Sequence, residues 1–460
     1  MGKLKLLWEL YCLKRNTNLS QKELAELQTR KLRHILRYAY ENSVYYHRAF
    51  EEAGITKENI EIMPFNKFPS IDKKILMEHF DELVTADGLK QEEIARFDKE
   101  NELSTKAYLD RYHLVHSSGS TGKPRYFVYD NAAWNQMLLG IIRGALWDMS
   151  MPEILELLIK KPRILYIAAT DGRYGGAMAV GDGINDLGAS QLQLNVNTPL
   201  EEWKKAVEEF EPNIVIGYPS AVKILAELKK DGIINISLTR IITCGEPLSK
   251  GLRSFLESVF RLKVVNFYGS SESLAMGVET DTEEGMYLFD DLNYIEFIDG
   301  QMYLTSLYNE VQPLIRYRLS DKLQLREDTL HKKYAFSRTR TINGRAEDVL
   351  WFRNYAGSRD FLHPLSVEGI CVEGIVDYQF KQTNADAFEM LVETDTHADK
   401  DYIVHEVSGR VKSILAEKHL DYVHFLINFV EKIFPNPNTG KKQLIIRMKE
   451  NEESYGRYAG

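Results

Sequence analysis

Cysteine is scarce: the chain has only Cys12, Cys244 and Cys371 in 460 residues, far apart, with no C-x-x-C pair and no histidine at a metal-like spacing. That excludes a disulfide framework and the ordinary zinc sites, and leaves reduced thiols on helix faces or in the core. Long apolar runs are also missing; none approaches the roughly 20 residues that a membrane-spanning helix needs. Met1-Gly2-Lys3-Leu4-Lys5 is not followed by a secretory hydrophobic stretch, and Leu6 stands where a myristoylation signal carries Ser or Thr, so a cytoplasmic location is expected. Positive charge is in deficit, with 58 Lys and Arg against 67 Asp and Glu for a net charge of -9. Nucleic acid and anionic membrane are therefore disfavoured as partners, and an anionic small substrate needs a locally positive pocket. There is no internal repeat and no low-complexity tract.

What is present is ample core material. Apolar residues make up 44% and charged residues 27% of the chain, the balance of a globular protein too long for one ordinary core. Residues 1–100 read as mainly helical, with Leu27, Leu32, Ile35, Leu36, Tyr38 and Ala39 roughly at helical spacing and breakers at Gly54 and Pro64. From Arg163 the pattern changes to short β-rich runs alternating with amphipathic stretches, the mark of a parallel sheet with crossover helices. Strands are expected at Arg163–Ala168, Ser190–Leu194, Asn213–Gly217, Arg240–Cys244 and Lys263–Phe267, and helices at Pro199–Phe210, Ser220–Lys230 and Ser249–Phe260. Beyond about Arg345 alternating runs such as Phe388–Val392, a helix over Asp401–Glu417 and a strand over Tyr422–Phe429 predict a small α+β domain. The fold expected is thus α/β, with a large domain over 1–345 (a helical cap plus parallel α/β layers) and a small α+β domain over 346–460.

Three of the expected strands end in polar turns: Gly217-Tyr218-Pro219-Ser220, Gly245-Glu246-Pro247 and Tyr268-Gly269-Ser270-Ser271-Glu272. Glycine and proline commonly stop strands, but three such turns one βα unit apart favour a crevice beyond the carboxyl ends of the strands, where open α/β sheets bind ligands. Ser117-Ser118-Gly119-Ser120-Thr121-Gly122-Lys123-Pro124 has the composition of a phosphate cradle: exposed backbone N–H groups, four hydroxyls and the charge of Lys123. It is not a Walker A loop, which requires Gly at Ser117 and Ser or Thr at Pro124. Proline there also disfavours helical geometry at Lys123, so a hairpin loop over a pyrophosphate fits better.

The octapeptide resembles the phosphate-loop motif of the adenylate-forming superfamily of acyl-CoA ligases, adenylation domains and luciferases. With His116 before it, the likeness is nearer to phenylacetate-CoA ligases and the similar coenzyme F390 synthetases. Further resemblances follow in that family's order: the opening Leu32–Tyr46, Gly245-Glu246-Pro247 at the adenine-flanking turn, Tyr268-Gly269-Ser270-Ser271-Glu272 as Y-G-x-x-E, Tyr317-Arg318-Leu319-Ser320-Asp321 as Y-R-x-G-D, Gly344-Arg345-Ala346-Glu347-Asp348 as G-R-x-D-D, and Thr439-Gly440-Lys441 as the C-terminal G-K. The resemblance implies an enzyme that uses ATP and Mg²⁺ to turn a small carboxylic acid into an acyl-adenylate, with coenzyme A as the acceptor; a homodimer is the assembly expected. It implies Glu272 as the Mg²⁺ ligand, Tyr268 beside the adenine, Asp321 on the ribose hydroxyls, Arg345 at the ribose or phosphates, Lys441 between the substrate carboxylate and the α-phosphate, and Glu347 as the hinge of a mobile small domain.

Two departures stand out. Ser320 replaces the usual glycine, and Val349–Gly357 replaces the R-G-x-N-x-x-P run whose glycine lets the pantetheine thiol approach, so adenylation is better supported than transfer to coenzyme A. Tyr126, Phe127, Gly172–Met178 and Tyr218 are candidate walls for an acyl pocket, with an aromatic acid suggested by analogy. Adenylation with an amine, a carrier-protein thiol or no acceptor is the related alternative, and a non-catalytic nucleotide-binding protein is the other class.

Overall fold

The computed structural model describes all residues except 1–2, 102–105, 117–123, 170–174, 184–187, 249, 280–284, 320, 322, 324, 327–332, 340–349, 354–356, 358, 363–371, 373, 395–396, 434–444 and 447–460. The chain opens on α1 (Lys3–Arg15), α2 (Gln21–Asn42) and α3 (Val44–Glu52). Ser20 and Glu23 form a capping box that fixes where α2 begins, and Ser43 both ends α2 and accepts from the Tyr46 amide to start α3. Leu24, Leu32, Ile35, Leu36, Ala39 and Tyr40 form the buried stripe of α2, at the spacing of a single helix face. The shorter α4 (Lys73–Glu78), α5 (Phe80–Leu83) and α6 (Gln91–Glu100) complete the helical region.

An antiparallel hairpin of β1 (Tyr112–His116) and β2 (Tyr126–Asp130) follows, in register from Tyr112 opposite Asp130 to His116 opposite Tyr126. Asp130 caps α7 (Asn131–Ala145), which is followed by α8 (Met151–Ile159). The alternating region then runs β3 (Arg163–Ala168), α9 (Gly175–Gly183), β4 (Ser190–Asn195), α10 (Leu200–Phe210), β5 (Ile214–Gly217), α11 (Pro219–Lys230), β6 (Arg240–Cys244), α12 (Lys250–Phe260) and β7 (Val264–Ser270). Antiparallel strands β8 (Ser273–Glu279) and β9 (Met286–Leu288) come next, then β10 (Asn293–Ile298), β11 (Gln301–Ser306), β12 (Tyr317–Arg318) and β13 (Arg338–Thr339). The main sheet has 8 strands in the order β13-β9-β8-β7-β6-β5-β3-β4, while β10, β11 and β12 form a separate sheet of 3. Strands β3, β5, β6 and β7 are mutually parallel, as the alternation with helices requires.

The helical N-terminal region shares its core with this sheet: Leu10, Ile35, Leu36, Tyr46 and Phe50 belong to the same buried cluster as Tyr166, Met276, Leu288 and Ile315. Inside that body Arg143 and Asp291 form a fully buried bidentate pair, with Nη1 to Oδ2 at 2.6 Å and Nη2 to Oδ1 at 2.9 Å. Asn16 donates to the same carboxylate at 2.8 Å.

The structure divides into two compact units, the first from the described residues of Met1–Ser117, Arg125–Gln193 and Phe210–Gly344. The second includes those of Leu194–Glu209 and Arg345–Gly460. It contains the hairpin β14 (Leu350–Arg353) and β15 (Arg359–Leu362), then β16 (Ile375–Asn384), β17 (Ala387–Thr394), α13 (Lys400–Glu417), β18 (His424–Val430) and β19 (Ile445–Ile446). Strand order there is β18-β17-β16-β19, and Ile403, Val407, Val411 and Leu415 of α13 seal one core with Phe380, Phe388 and Met390. The Asp360 carboxylate accepts from Lys418 Nζ at 3.1 Å and from the Leu200 amide at 2.9 Å, which ties the start of α10 into this unit. Among the described residues no helix is long and apolar enough to cross a membrane.

Candidate active site

Because β5, β6 and β7 are parallel neighbours, the turns after them leave the same edge of the sheet. Gly245 ends β6 with φ at +81°, and a Cβ there would sit 2.6 Å from the Tyr218 ring, so both backbone and space require glycine. The ring that opens one turn thus covers the next. The side chain of Glu246 is committed within the scaffold: its carboxylate accepts from the Ser220 amide at 3.0 Å and from the Ser220 hydroxyl at 2.9 Å, at the first turn of α11. This leaves backbone and the Tyr218 ring, rather than the Glu246 charge, as what the turn offers a ligand.

The third turn carries the ionisable groups. Strand β7 runs on to Ser270 and reverses through Ser271 and Glu272 into β8, with a register shift between Tyr268 and Ser270. At Gly269 any Cβ would lie 2.3 Å from the Leu274 carbonyl oxygen, so a side chain cannot enter this hairpin without moving backbone. The Tyr129 hydroxyl on β2 donates to the Glu272 carbonyl at 3.3 Å, fastening the tip from behind. Glu272 is buried, with its side chain 9% exposed, and Arg125 Nη1 donates to its Oε1 at 3.2 Å. Burial raises the pKa of Glu272; the Arg125 charge opposes that rise and the Asp321 charge adds to it. Arg125 also donates to the Tyr317 hydroxyl at 3.1 Å, and burial lifts that phenol to about 12.

Tyr268 donates to Asp321 Oδ2 at 2.7 Å, joining the end of β7 to the segment after β12. Burial, then the neighbouring Asp321 charge, holds the Tyr268 phenol well above its ordinary value, so it stays a donor. The bond uses one Asp321 oxygen and leaves the other with acceptor capacity suited to a hydroxyl. Tyr268, Glu272 and Asp321, separate motifs in the sequence, therefore share one polar cluster.

Other expected residues lie outside the described ones: Ser117, Ser118, Gly119, Ser120, Thr121, Gly122, Lys123, Arg345, Glu347, Lys441 and Gly172. Of the candidate pocket walls, Tyr126, Phe127 and Met178 are buried and Tyr218 is half-buried. Cys12 is exposed, while burial pushes the Cys244 thiol up to about 12, which makes it inert as a nucleophile. Sequence reasoning passed over Arg125 and gave Tyr317 no role; the only signal was that Arg125 directly follows the loop's Pro124. It also missed Gln312 and Asn309, whose side chains hold β2: Val128 donates to Gln312 Oε1 at 2.8 Å, Gln312 donates to the Tyr126 carbonyl at 3.1 Å, and Asn309 donates to the Val128 carbonyl at 2.9 Å.

Among the described residues no group of three His, Cys, Asp or Glu side chains is placed to hold a metal by itself. Glu272 supplies one buried carboxylate, and Mg²⁺ characteristically takes one or two carboxylates and completes its shell with phosphate and water.

The fold is that of the adenylate-forming CoA ligases. It matches 2-hydroxyisobutyryl-CoA ligase, in complex with 2-HIB-AMP and CoA in the thioesterification state, with a TM-score of 0.60 at 19% identity over 94% of this chain and 92% of the other. In sequence, the chain is similar to phenylacetate-coenzyme A ligases: it is 27% identical over 360 residues to that of Aromatoleum evansii, covering 73% of each chain. Against that of Escherichia coli (strain K12) it is 25% identical over 426 residues, covering 85% of this chain and 89% of the relative. No family model matches the chain. The resemblance carried by the short motifs thus extends across most of the sequence.

Proposed function

We propose that the chain is an AMP-forming acid–thiol ligase that activates a carboxylic acid with ATP and transfers the acyl group to coenzyme A. In the first step a carboxylate oxygen attacks the α-phosphorus, the bond to the bridging oxygen breaks, and pyrophosphate leaves. In the second the thiolate sulfur of coenzyme A attacks the acyl carbon and AMP departs. The observation that carries this reading is the cluster of Glu272, Tyr268 and Asp321, gathered from the end of β7 and from beyond β12. It is supported by similarity to relatives named phenylacetate-coenzyme A ligase.

Within this reading Asp321 accepts from the ribose hydroxyls, Tyr268 is oriented by Asp321 beside the adenine, and Gly245-Glu246-Pro247 and Gly269-Ser270-Ser271 line the nucleotide. Ser117–Gly122 with Lys123 cradle the phosphates, Arg345 assists at ribose or phosphate, and Lys441 neutralises charge where the acid meets the α-phosphate. Mg²⁺ held by Glu272 would supply further neutralisation of phosphate charge. The division at 345/346, with Glu347 as hinge and Lys441 on the smaller domain, belongs to the same proposal, as do a cytoplasmic location, a homodimer and an aromatic acid as substrate. The test is a pyrophosphate-release screen over aryl, fatty and amino acids with and without coenzyme A. Release with an aryl acid, and AMP release that depends on the thiol, is the expected result; release without any thiol dependence would move the acceptor to an amine, a carrier thiol or none.

A further inference from the structure

Tyr166 lies in β3 with only 3% of its surface exposed, yet among the described residues nothing hydrogen-bonds its hydroxyl. A buried tyrosine ordinarily packs its ring in the core while the O–H finds a partner. A phenylalanine would fill the same space without carrying an oxygen out of water. Burial, then the Cys244 charge, holds the Tyr166 phenol well above its ordinary value, so the group stays protonated and offers both a donor and an acceptor.

The surroundings of the hydroxyl show where a partner enters. Tyr166 pairs in register with Ile216 of β5, and Ile216 with Ile242 of β6, so the three side chains share one face of the sheet. Two glycines seat the first turn of α9 against that face: a Cβ at Gly175 would overlap Leu274, and one at Gly176 would overlap the Tyr166 hydroxyl. Gly176 is nevertheless only half-buried, and so are Ile216, Tyr218 and Cys244, although β5 and β6 are interior strands of the 8-stranded sheet. In a close-packed interior such residues keep their exposure only where the layers leave a hollow between them. Its walls include Ile216 and the Tyr218 ring, and the Tyr166 hydroxyl is set beside them. The polar turns of the site leave the carboxyl ends of β5, β6 and β7, whereas Tyr166 is level with Ile216, before the Gly217 turn begins. An acid whose carboxylate is held among those turns, with its tail directed into the hollow, therefore meets Tyr166 at the end remote from the reacting carbon.

We propose that Tyr166 is a specificity-determining residue whose hydroxyl hydrogen-bonds a hydroxyl on the tail of the acid, so that the substrate is a hydroxylated aryl acid and not its unsubstituted parent. A hydrocarbon tail would displace water from the hollow and leave the Tyr166 oxygen unpartnered in the complex, whereas a tail hydroxyl restores the bond. The inference rests on the proposed activation of an aryl acid with ATP.

The test compares acids on one protein. Acid-dependent exchange of labelled pyrophosphate into ATP is measured with 3- and 4-hydroxyphenylacetic acid and with phenylacetic acid, for wild type and Tyr166→Phe. In the wild type the better hydroxylated acid is expected to exceed phenylacetic acid in kcat/KM by about a hundredfold, and Tyr166→Phe is expected to lower that ratio by about tenfold or more. A ratio near one in the wild type, or a ratio that Tyr166→Phe leaves unchanged, overturns the inference. Thermal midpoints of the acid-free proteins separate it from a structural role: removal of an oxygen with no protein partner should leave the midpoint at the wild-type value or above it. A Tyr166→Phe protein that melts lower or fails to fold shows that the hydroxyl is already used within the protein, and overturns the inference as well. Absence of exchange with every acid of a broad panel would instead remove the proposed function itself, and this inference with it.

Discussion

Burial raises the pKa of Glu272 while Arg125 opposes the rise, and the opposite balance holds at Asp291. There burial also acts to raise the pKa, but the charge and hydrogen bonds of Arg143, with help from Lys31 and Asn16, outweigh it and hold the carboxyl below its ordinary range. A depressed folded-state value means that the pair stabilises the protein above the unfolded carboxyl's pKa of about 3.9 and loses that contribution as pH falls through the folded value. Thermal midpoints followed from about pH 6 downwards should therefore drop for the wild type as the pH passes below about 4. Asp291→Asn leaves Arg143 buried without its counter-charge and should cost about 3–5 kcal/mol near neutrality, without the same acid-dependent loss. An Asn variant as stable as wild type would show that the pair contributes nothing net. Tyr268 and Glu272, in a glycine-containing polar turn, and Asp321, in a motif that follows in order, were legible in the sequence because turn chemistry and motif order single them out. Arg125 and Asp291 were not. Their partners lie 147 and 148 positions away, and a lone charge carries no mark of whom it will meet.

At the scale of elements, strand β2 bridges the site and its support, since it follows the expected phosphate loop and its Tyr129 hydroxyl holds the Glu272 turn. Its backbone bonds are completed by the side chains of Gln312 and Asn309 in place of a third strand. Gln312→Ala leaves the Val128 amide and the Tyr126 carbonyl without these partners, at a cost of about 1–3 kcal/mol for each group left unsatisfied. Hydrogen exchange should register this as lost protection of the Val128 amide with α2 unaffected; unchanged protection would mean that water replaces the amide at no cost. Periodicity located the crossover elements well: Arg240–Cys244 and Arg163–Ala168 are strands at the expected bounds, and the helix expected from Pro199 begins at Leu200. It fell short at β7, which runs to Ser270 instead of Phe267, because its last residues pair antiparallel with β8 across the Gly269 approach. The β10–β12 sheet had no clear signal either, as partly buried antiparallel strands with mixed faces show weak alternation.

In the molecule as a whole, each unit has its own sealed core, and the second is knotted around Lys418. Its ammonium is buried, donates to Asp360 Oδ1 and to the Thr198 carbonyl at 3.1 Å each, and lies 4.3 Å from the centre of the Phe361 ring. Lys418→Ala strands the Asp360 carboxylate in that core and is expected to cost about 3–5 kcal/mol. Exchange protection should be lost from β15 and the first turn of α10 before it is lost from β5 to β7, and a uniform loss across the chain would contradict the division into units. The association of Leu194–Glu209 with the C-terminal residues could not be read from sequence, because it rests on Asp360 and Lys418 meeting a helix start 160 and 220 positions away. The α/β class and its order of elements were readable, since they follow from local pattern repeated over many units. The central claim is that this cluster of turns activates a carboxylic acid with ATP. Its most direct measurement is acid-dependent exchange of labelled pyrophosphate into ATP, by wild type and by Glu272→Gln. The account predicts exchange with at least one carboxylic acid in the wild type and a loss of roughly a hundredfold in the folded Glu272→Gln protein; exchange undiminished by that substitution would contradict it.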